Sequence, residues 1–369
     1  MNLGDEALLL GAIECARVDA GLGPADIVVL SDNKEDTTVR LEGIGCEVRQ
    51  LRRPYGGKLV RLPFVMVDVF RALRGLDWLV FGGGGLLNDS NRTAIPMYTL
   101  IRILAWFRGI RIAWWSIGIG PLQDGARKRM ASWLLSSSRF FTVRDDDSYR
   151  MACEMLTRDV TVTPDLAHAI QYSATETKAE LPIIAISVIP YKKPGIWFEE
   201  SGEQYAMYCD KIVHSIQGLL HARADIHVRL FPVSLQQDGA AIDDIMALGN
   251  LATEGRVDEV RPETVQSLLS ELGQTDLVIA TRLHSVVLAT IARVPAITIA
   301  YQPKVASYAR ELDMGLPCFG IDEFSSQQVV DASLATIEHT EGLPDKLLRE
   351  NAERRLSLSR AITSWRALT

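Results

Sequence analysis

The sequence predicts an α/β protein of two Rossmann-like domains on parallel sheets, with a cleft between them. Three observations predict it. Short β-branched or apolar runs alternate with helical stretches, the pattern of parallel strands joined by crossover helices. Runs such as Ile183-Ile184-Ala185-Ile186-Ser187-Val188-Ile189 are near-continuously apolar, as strands covered on both faces must be. The 369 residues suit two domains of roughly 100–200 residues each.

In the first half, strands are expected at Asp26–Leu30, Cys46–Leu51, Trp78–Phe81, Arg111–Ile117, Phe140–Val143 and Val160–Val162. Helices are expected at Glu6–Ala20, Leu62–Leu73, Met97–Phe107, Ala126–Ser136 and Ser148–Leu156. The second half repeats the scheme, with strands at Ile183–Ile189, Ile226–Pro232, Leu277–Ala280 and Ala296–Ala300. Its helices are expected at Glu203–Leu220, Ala241–Leu248, Thr264–Leu272 and Ser285–Ala292. The polar segment Gln171–Leu181 reads as the linker. The domains are therefore set at 1–172 and 181–340, with a C-terminal helix in 341–369 that either finishes the second domain or crosses back to the first. Doubly wound domains usually open with a strand. Here a Gly-Asp-Glu turn begins at residue 2, so the first domain is expected to lack that strand.

Composition removes several function classes. Lys and Arg number 39 against 46 Asp and Glu, a net charge of −7, which argues against a general nucleic-acid binder. Five cysteines occur singly, with no CxxC pair, so neither a disulfide framework nor a zinc site is expected. Met1 runs straight into Asn2-Leu3-Gly4-Asp5-Glu6 without a signal peptide, and a cytoplasmic location is expected. The most apolar stretch, Ile95–Gly120, is interrupted by Arg102, Arg108 and Arg111 and reads as a helix followed by a buried strand rather than a span. Trp106 and Phe107 leave room for a peripheral contact with the inner face of a membrane. So do the stretch Met97–Arg111 and the helix Arg61–Arg74.

Open α/β sheets bind ligands at their strand ends, where loops converge and helix N-termini present free N–H groups. Five segments lie at such places. Asn2-Leu3-Gly4-Asp5-Glu6-Ala7 opens a helix; it reads either as a simple cap or as an acceptor-binding turn with Asp5 and Glu6. Gly82-Gly83-Gly84-Gly85, followed by Asp89, can adopt positive φ and bring N–H groups close to an anion or a sugar, or serve as a tight turn. Ser116-Ile117-Gly118-Ile119-Gly120-Pro121 leaves space for a ligand or a neighbouring loop. Arg144 ends a strand, where its guanidinium can fork onto a carboxylate or phosphate, or pair structurally with Asp145 or Asp165. The sharpest is Thr281-Arg282-Leu283-His284-Ser285. Arg282 suits an anion, His284 can exchange a proton near neutral pH, and an extended turn would point both the same way. Tyr301-Gln302-Pro303-Lys304 ends the next strand and offers Lys304 as a further cation.

Taken in order, these segments resemble the polysaccharide pyruvyl transferase family across residues 2–304. The resemblance implies the two-domain glycosyltransferase B architecture. It implies transfer of the enolpyruvyl unit of phosphoenolpyruvate onto two sugar hydroxyls as a pyruvate ketal, with release of phosphate. It assigns His284, Arg282 and Arg144 to catalysis. Asp5, Glu6, Gly83, Gly84, Gly85, Asp89, Gly118, Asp165, Leu283 and Lys304 fall to substrate binding. No metal or cofactor is expected beyond phosphoenolpyruvate as donor, and the acceptor would be a free, nucleotide-linked or lipid-linked glycan of cell-surface or exopolysaccharide synthesis. His284 is the expected general acid; Asp5, Glu6 and Asp89 are candidate bases. Gln302 stands where an acidic residue is expected, which ranks Lys304 below Arg282. Two other readings stay open: a nucleotide-sugar glycosyltransferase of the same architecture, and a non-catalytic sugar-binding subunit of a polysaccharide assembly complex.

Overall fold

The computed structural model describes residues 2–51, 62–173, 181–197 and 199–368. In chain order the first half holds α1 (Leu3–Glu14), β1 (Val28–Ser31), α2 (Lys34–Arg40), β2 (Glu47–Gln50), α3 (Leu62–Ala72), β3 (Trp78–Gly82), β4 (Gly85–Leu87), α4 (Ala94–Phe107), β5 (Arg111–Ile119), α5 (Gly125–Ser136), β6 (Phe140–Val143), α6 (Asp146–Met155) and β7 (Thr161–Val162). The second half holds β8 (Ile183–Ser187), α7 (Gly202–Ala222), β9 (His227–Phe231), α8 (Leu235–Leu248), β10 (Val257–Glu259), α9 (Val265–Gly273), β11 (Leu277–Ala280), α10 (Leu283–Ile291), β12 (Ala296–Ala300), α11 (Pro303–Glu311), β13 (Cys318–Gly320), α12 (Ser326–Glu338) and α13 (Leu343–Arg366). Most of the expected linker, and Arg61 at the head of the expected Arg61–Arg74 helix, lie outside the described residues.

The chain divides into two compact units, Met1–Ala7 with Ile170–Glu353 and Leu8–Ala169 with Arg354–Thr369. The expected first domain, 1–172, thus gives its opening residues to the other unit. The C-terminal helix α13 is shared, its last turns counting with the first-half unit.

The unit built mainly from the second half carries a six-stranded parallel sheet in the order β10-β9-β8-β11-β12-β13. Its central strands are the most deeply covered: Ile183–Ser187 and Leu277–Ala280 are buried at every position. The chain winds outward from β8 to β10, returns to lay β11 on the other side of β8, and winds outward again to β13. The loops after β8 and β11 therefore depart in opposite directions, which opens a crevice at their carboxyl ends. Helix starts are fixed by side chains. Ser201 caps α7 through the Gln204 N–H, and Thr264 with Ser267, and Ser325 with Gln328, form reciprocal capping boxes on α9 and α12.

The other unit carries a five-stranded parallel sheet, β3-β5-β6-β7 with β4 on β5, and a separate parallel pair, β1-β2. Strand β5 is buried at every position after Arg111. Its side chains alternate between faces. Trp114 stacks on Phe81 with ring centroids 4.3 Å apart, while Trp115 meets the edge of Trp365 at 4.8 Å. Leu358, Ile362 and Trp365 of α13 are buried in that second cluster, and Arg355 donates to the Asp19 carboxylate at 2.8 Å. Helix α1 runs into a π turn, Cys15–Asp19, so the expected helix Glu6–Ala20 is present but changes hydrogen-bond register near its end.

Candidate active site

In the unit of β8–β13, the crevice at the β8/β11 switch point holds the residues with the most distinctive chemistry. Thr281 donates to the Ser187 carbonyl at 2.8 Å, and the Ser285 and Ser187 hydroxyls meet at 2.6 Å, which joins the two strand ends. Arg282 is the N-cap residue of α10 in extended conformation, and His284 lies in the first helical turn. The extended turn expected over both residues is therefore confined to Arg282, because the helix starts one residue later.

Arg282 forks onto Asp238, its Nε donating to Oδ2 at 2.7 Å and to Oδ1 at 3.0 Å, with Nη2 also on Oδ1. Asp238 is fully buried and takes two more hydrogen bonds, from the backbone N–H groups of Val233 (3.1 Å) and Ser234 (2.7 Å). Burial alone would lower the Arg282 pKa, but the Asp238 charge beside it overrides this and holds it above the ordinary arginine value. Tyr301, packed near this pair, is pushed up by burial, and the Arg282 charge opposes that shift.

The N-terminal segment docks on the same residues. Leu3 N–H donates to the Val233 carbonyl at 2.8 Å, Asn2 forms an antiparallel bridge with Ser234, and the Asn2 Oδ1 accepts from Gly4 N–H at 2.9 Å. Gly4 lies against the imidazole: a Cβ there would fall 2.3 Å from Nδ1 of His284 and 2.7 Å from its Cγ. Contacts thus run in a ring from Arg282 to Asp238, to Val233 and Ser234, to Asn2 and Gly4, and back to His284. The sequence offered the Asn2–Ala7 segment and the Arg282–His284 turn as separate segments; the fold places Gly4 of the one against His284 of the other.

Other expected residues of this unit take different positions. Glu6 is buried, and its Oε1 accepts from the N–H of Val265 at the start of α9 (3.3 Å), a helix N-terminus that favours a carboxylate. Asp5 is exposed, as is Lys304 in the first turn of α11. Leu283, between Arg282 and His284, is buried at 7% exposure. Asp238, Asn2 and Tyr301 were not singled out as site residues.

The second unit gathers a cluster of its own. Gly83 and Gly84 adopt φ of 68° and 71°, which a side chain resists, and a Cβ on Gly83 would fall 2.8 Å from Leu8. Gly83 N–H donates to the Trp115 carbonyl at 2.9 Å, and the Gly84 carbonyl accepts from Gly118 at 2.7 Å, while Gly85 already belongs to β4. Gly82 and Gly83 serve close packing, a Cβ on Gly82 falling 3.1 Å from Leu166, and the Gly83 N–H is used on strand β5. A Cβ on Gly118 would sit 3.2 Å from Nη2 of Arg144. Arg144 pairs with Asp165 (3.3 Å) and Asp145 (3.4 Å), the ion pair that its sequence setting allowed. Asp145 also caps α6 by accepting from the Ser148 N–H at 2.8 Å. Asp89 accepts from the Gln123 and Asp124 N–H groups at 2.6 and 3.0 Å and pairs with Arg127 at 3.3 Å, which anchors the head of α5. Behind this cluster, fully buried Ser116 holds φ of 51° where β5 shifts register, and its backbone N–H donates to Thr142 Oγ1 at 2.8 Å. Among the described residues no group of three metal-ligating side chains is gathered.

The polysaccharide pyruvyl transferase family model matches residues 2–303, an interval that takes in both clusters. The chain belongs to the polysaccharide pyruvyl transferase family. No curated protein matches the sequence. Solved structures share the fold at low identity. The UDP-GlcNAc 2-epimerase from Neisseria meningitidis, bound to UDP-GlcNAc, superposes with a TM-score of 0.63 at 14% identity, over 96% of this chain and 95% of that one. Anabaena Alr3699/HepE, in complex with UDP and glucose, gives 0.59 at 14%, over 97% and 94%. The UDP-GlcNAc 2-epimerase from Methanocaldococcus jannaschii gives 0.60 at 9%, over 89% of each chain. The chain thus has two Rossmann-like units of glycosyltransferase B type, built on parallel sheets.

Proposed function

We propose that this transferase moves the enolpyruvyl unit of phosphoenolpyruvate onto two hydroxyls of a glycan, forming a pyruvate ketal and releasing phosphate. The observation that carries the proposal is the ring of contacts that fixes Arg282 and His284 at the β8/β11 crevice. Arg282 spends its Nε and Nη2 donors on Asp238, so its Nη1 side is offered to the donor's carboxylate or phosphate. The imidazolium of His284 gives its proton to the methylene carbon of the enol, making it a methyl group. Positive charge develops on the neighbouring carbon, where one sugar hydroxyl adds and its proton returns to the imidazole. The C–O bond to phosphate then breaks, phosphate leaves with its oxygen, and the second hydroxyl closes the ring, its proton passing to phosphate. Glu6 and Asp5 are the carboxylates proposed to lie near the acceptor. Arg144 is kept as a catalytic candidate within its own unit.

The test is phosphate release from phosphoenolpyruvate that depends on a glycan acceptor. Run in D2O, the product methyl should carry one deuterium. Release without deuterium in the methyl would overturn the protonation step. His284→Ala should keep phosphoenolpyruvate binding and lose turnover, a fall of roughly 10²–10⁴ for a missing general acid. A thermal-shift panel separates the competing reading: stabilisation by phosphoenolpyruvate supports the proposal, while stabilisation by UDP or GDP alone favours a nucleotide-sugar glycosyltransferase.

A further inference from the structure

The outward faces of α3, α4 and α5 carry large apolar side chains where helices covering a sheet ordinarily turn polar. Phe64 is 73% exposed, Trp106 64%, Phe107 68% and Trp133 43%, with Val67 and Ile103 also in the open. These residues form one surface. The Arg108 guanidinium lies 3.7 Å over the Phe70 ring and ties α3 to the end of α4, and Arg102 lies 5.8 Å over Trp133 and ties α4 to α5. Monomers rarely leave such a surface without a use. Its charge is also unlike that of the chain, whose net charge is −7: Arg127 and Lys128 are taken up by Asp89, Asp124 and Glu154, but Arg71, Arg74 and Arg129 are exposed and Arg102 and Arg108 lie on the aromatic rings, against Asp68 as the one carboxylate within the three helices.

We infer that this face docks on a bilayer rich in anionic lipid. Tryptophan and phenylalanine at helix surfaces insert at the headgroup boundary, and arginines beside them keep their charge at the phosphates while their stems cover apolar surface. Stable peripheral binding needs both apolar insertion and a basic patch, and both are present here. A second copy fits the face less well, because a two-fold pairing would set its cations against themselves. Among the described residues no helix is long and apolar enough to cross a membrane, so the contact would lie in the plane of the interface. The inference does not depend on the reaction proposed above.

Flotation of the full chain with phosphatidylcholine vesicles, with and without phosphatidylglycerol, tests it. The protein should float with the anionic vesicles and much less with the neutral ones, and raised salt should weaken binding. Trp106→Ser combined with Phe107→Ser should reduce binding at least about tenfold with an unchanged thermal midpoint. Arg71→Ala and Arg74→Ala should each cost about fivefold, the ratio expected for one surface cation near anionic headgroups. No flotation of the unmodified chain, or equal flotation of the variants, would overturn the inference. So would a dimer that the Trp106/Phe107 variant dissociates, without vesicle binding.

Discussion

Gly4 is small because an imidazole occupies the space a side chain would need. Glycine costs up to about 1 kcal/mol relative to alanine within a helix, and Gly4 stands in the first turn of α1. Gly4→Ala is therefore expected to displace the His284 ring and lower kcat of the proposed ketal formation at least about tenfold, a distortion of the kind that misplaced catalytic groups show. Unchanged kcat would mean that the position of the imidazole does not matter. The Arg282–Asp238 pair gives the second prediction at this scale. Replacing one partner strands the other, so Asp238→Ala should destabilise by about 3–5 kcal/mol, read as a lowered thermal midpoint. Arg282 and His284 were legible because an arginine and a histidine at a strand end are chemically unusual. Asp238 was not: a carboxylate in the first turn of a helix is an ordinary complement to the helix dipole, and its partner lies 44 residues away.

Sheet edges carry the prediction at the scale of elements. Arg229 and Asp258 are register partners on β9 and β10, joined at 2.8 and 3.0 Å, with Glu271 of α9 on the same guanidinium. Partial burial would raise the Asp258 pKa, but hydrogen bonds from Arg229 override it and hold it below the usual carboxylate value. A depressed folded-state pKa adds stability above the unfolded value near 4, and that stability fades as pH falls through the folded value. Arg229→Leu should therefore lower stability at pH 7 by no more than ~1 kcal/mol, since the pair is partly exposed. The difference should shrink to nothing as pH drops below about 4 in acid-denaturation curves. A gap that persists undiminished in acid would mean the arginine acts through packing. Long, apolar strands such as β8, β11 and β12 were readable from their runs. Edge strands β10 and β13 are three residues each and lack a buried run, so their pairing rests on neighbours that the sequence does not display. Helix α12 was also passed over, although the Ser325/Gln328 box at its head was written in the sequence.

For the molecule as a whole, two parallel sheets were legible from the alternation of elements; the return of the C-terminal helix to the first-half unit was one of two open alternatives, and the transfer of the opening residues to the other unit was not foreseen. Nothing in Asn2–Glu6 signals that its partners are Val233, Ser234, Val265 and His284. The closing helix is as important to the first-half unit. Trp365 is 3% exposed, wedged edge-on against Trp78 and Trp115. Trp365→Ala should cost about 3–5 kcal/mol, which lowers the melting midpoint by roughly 2–4 °C for each kcal/mol in a unit of this size. A midpoint unchanged by the substitution would show the helix to be an ornament of that unit. The contact between Gly4 and His284 has a further consequence for biogenesis. A ribosome delivers the glycine first and the histidine 280 residues later, so at about 5–20 residues per second the opening segment waits some tens of seconds for its partners. The candidate site is among the last features the nascent chain can complete, and no prefix that stops short of α10 can assemble it.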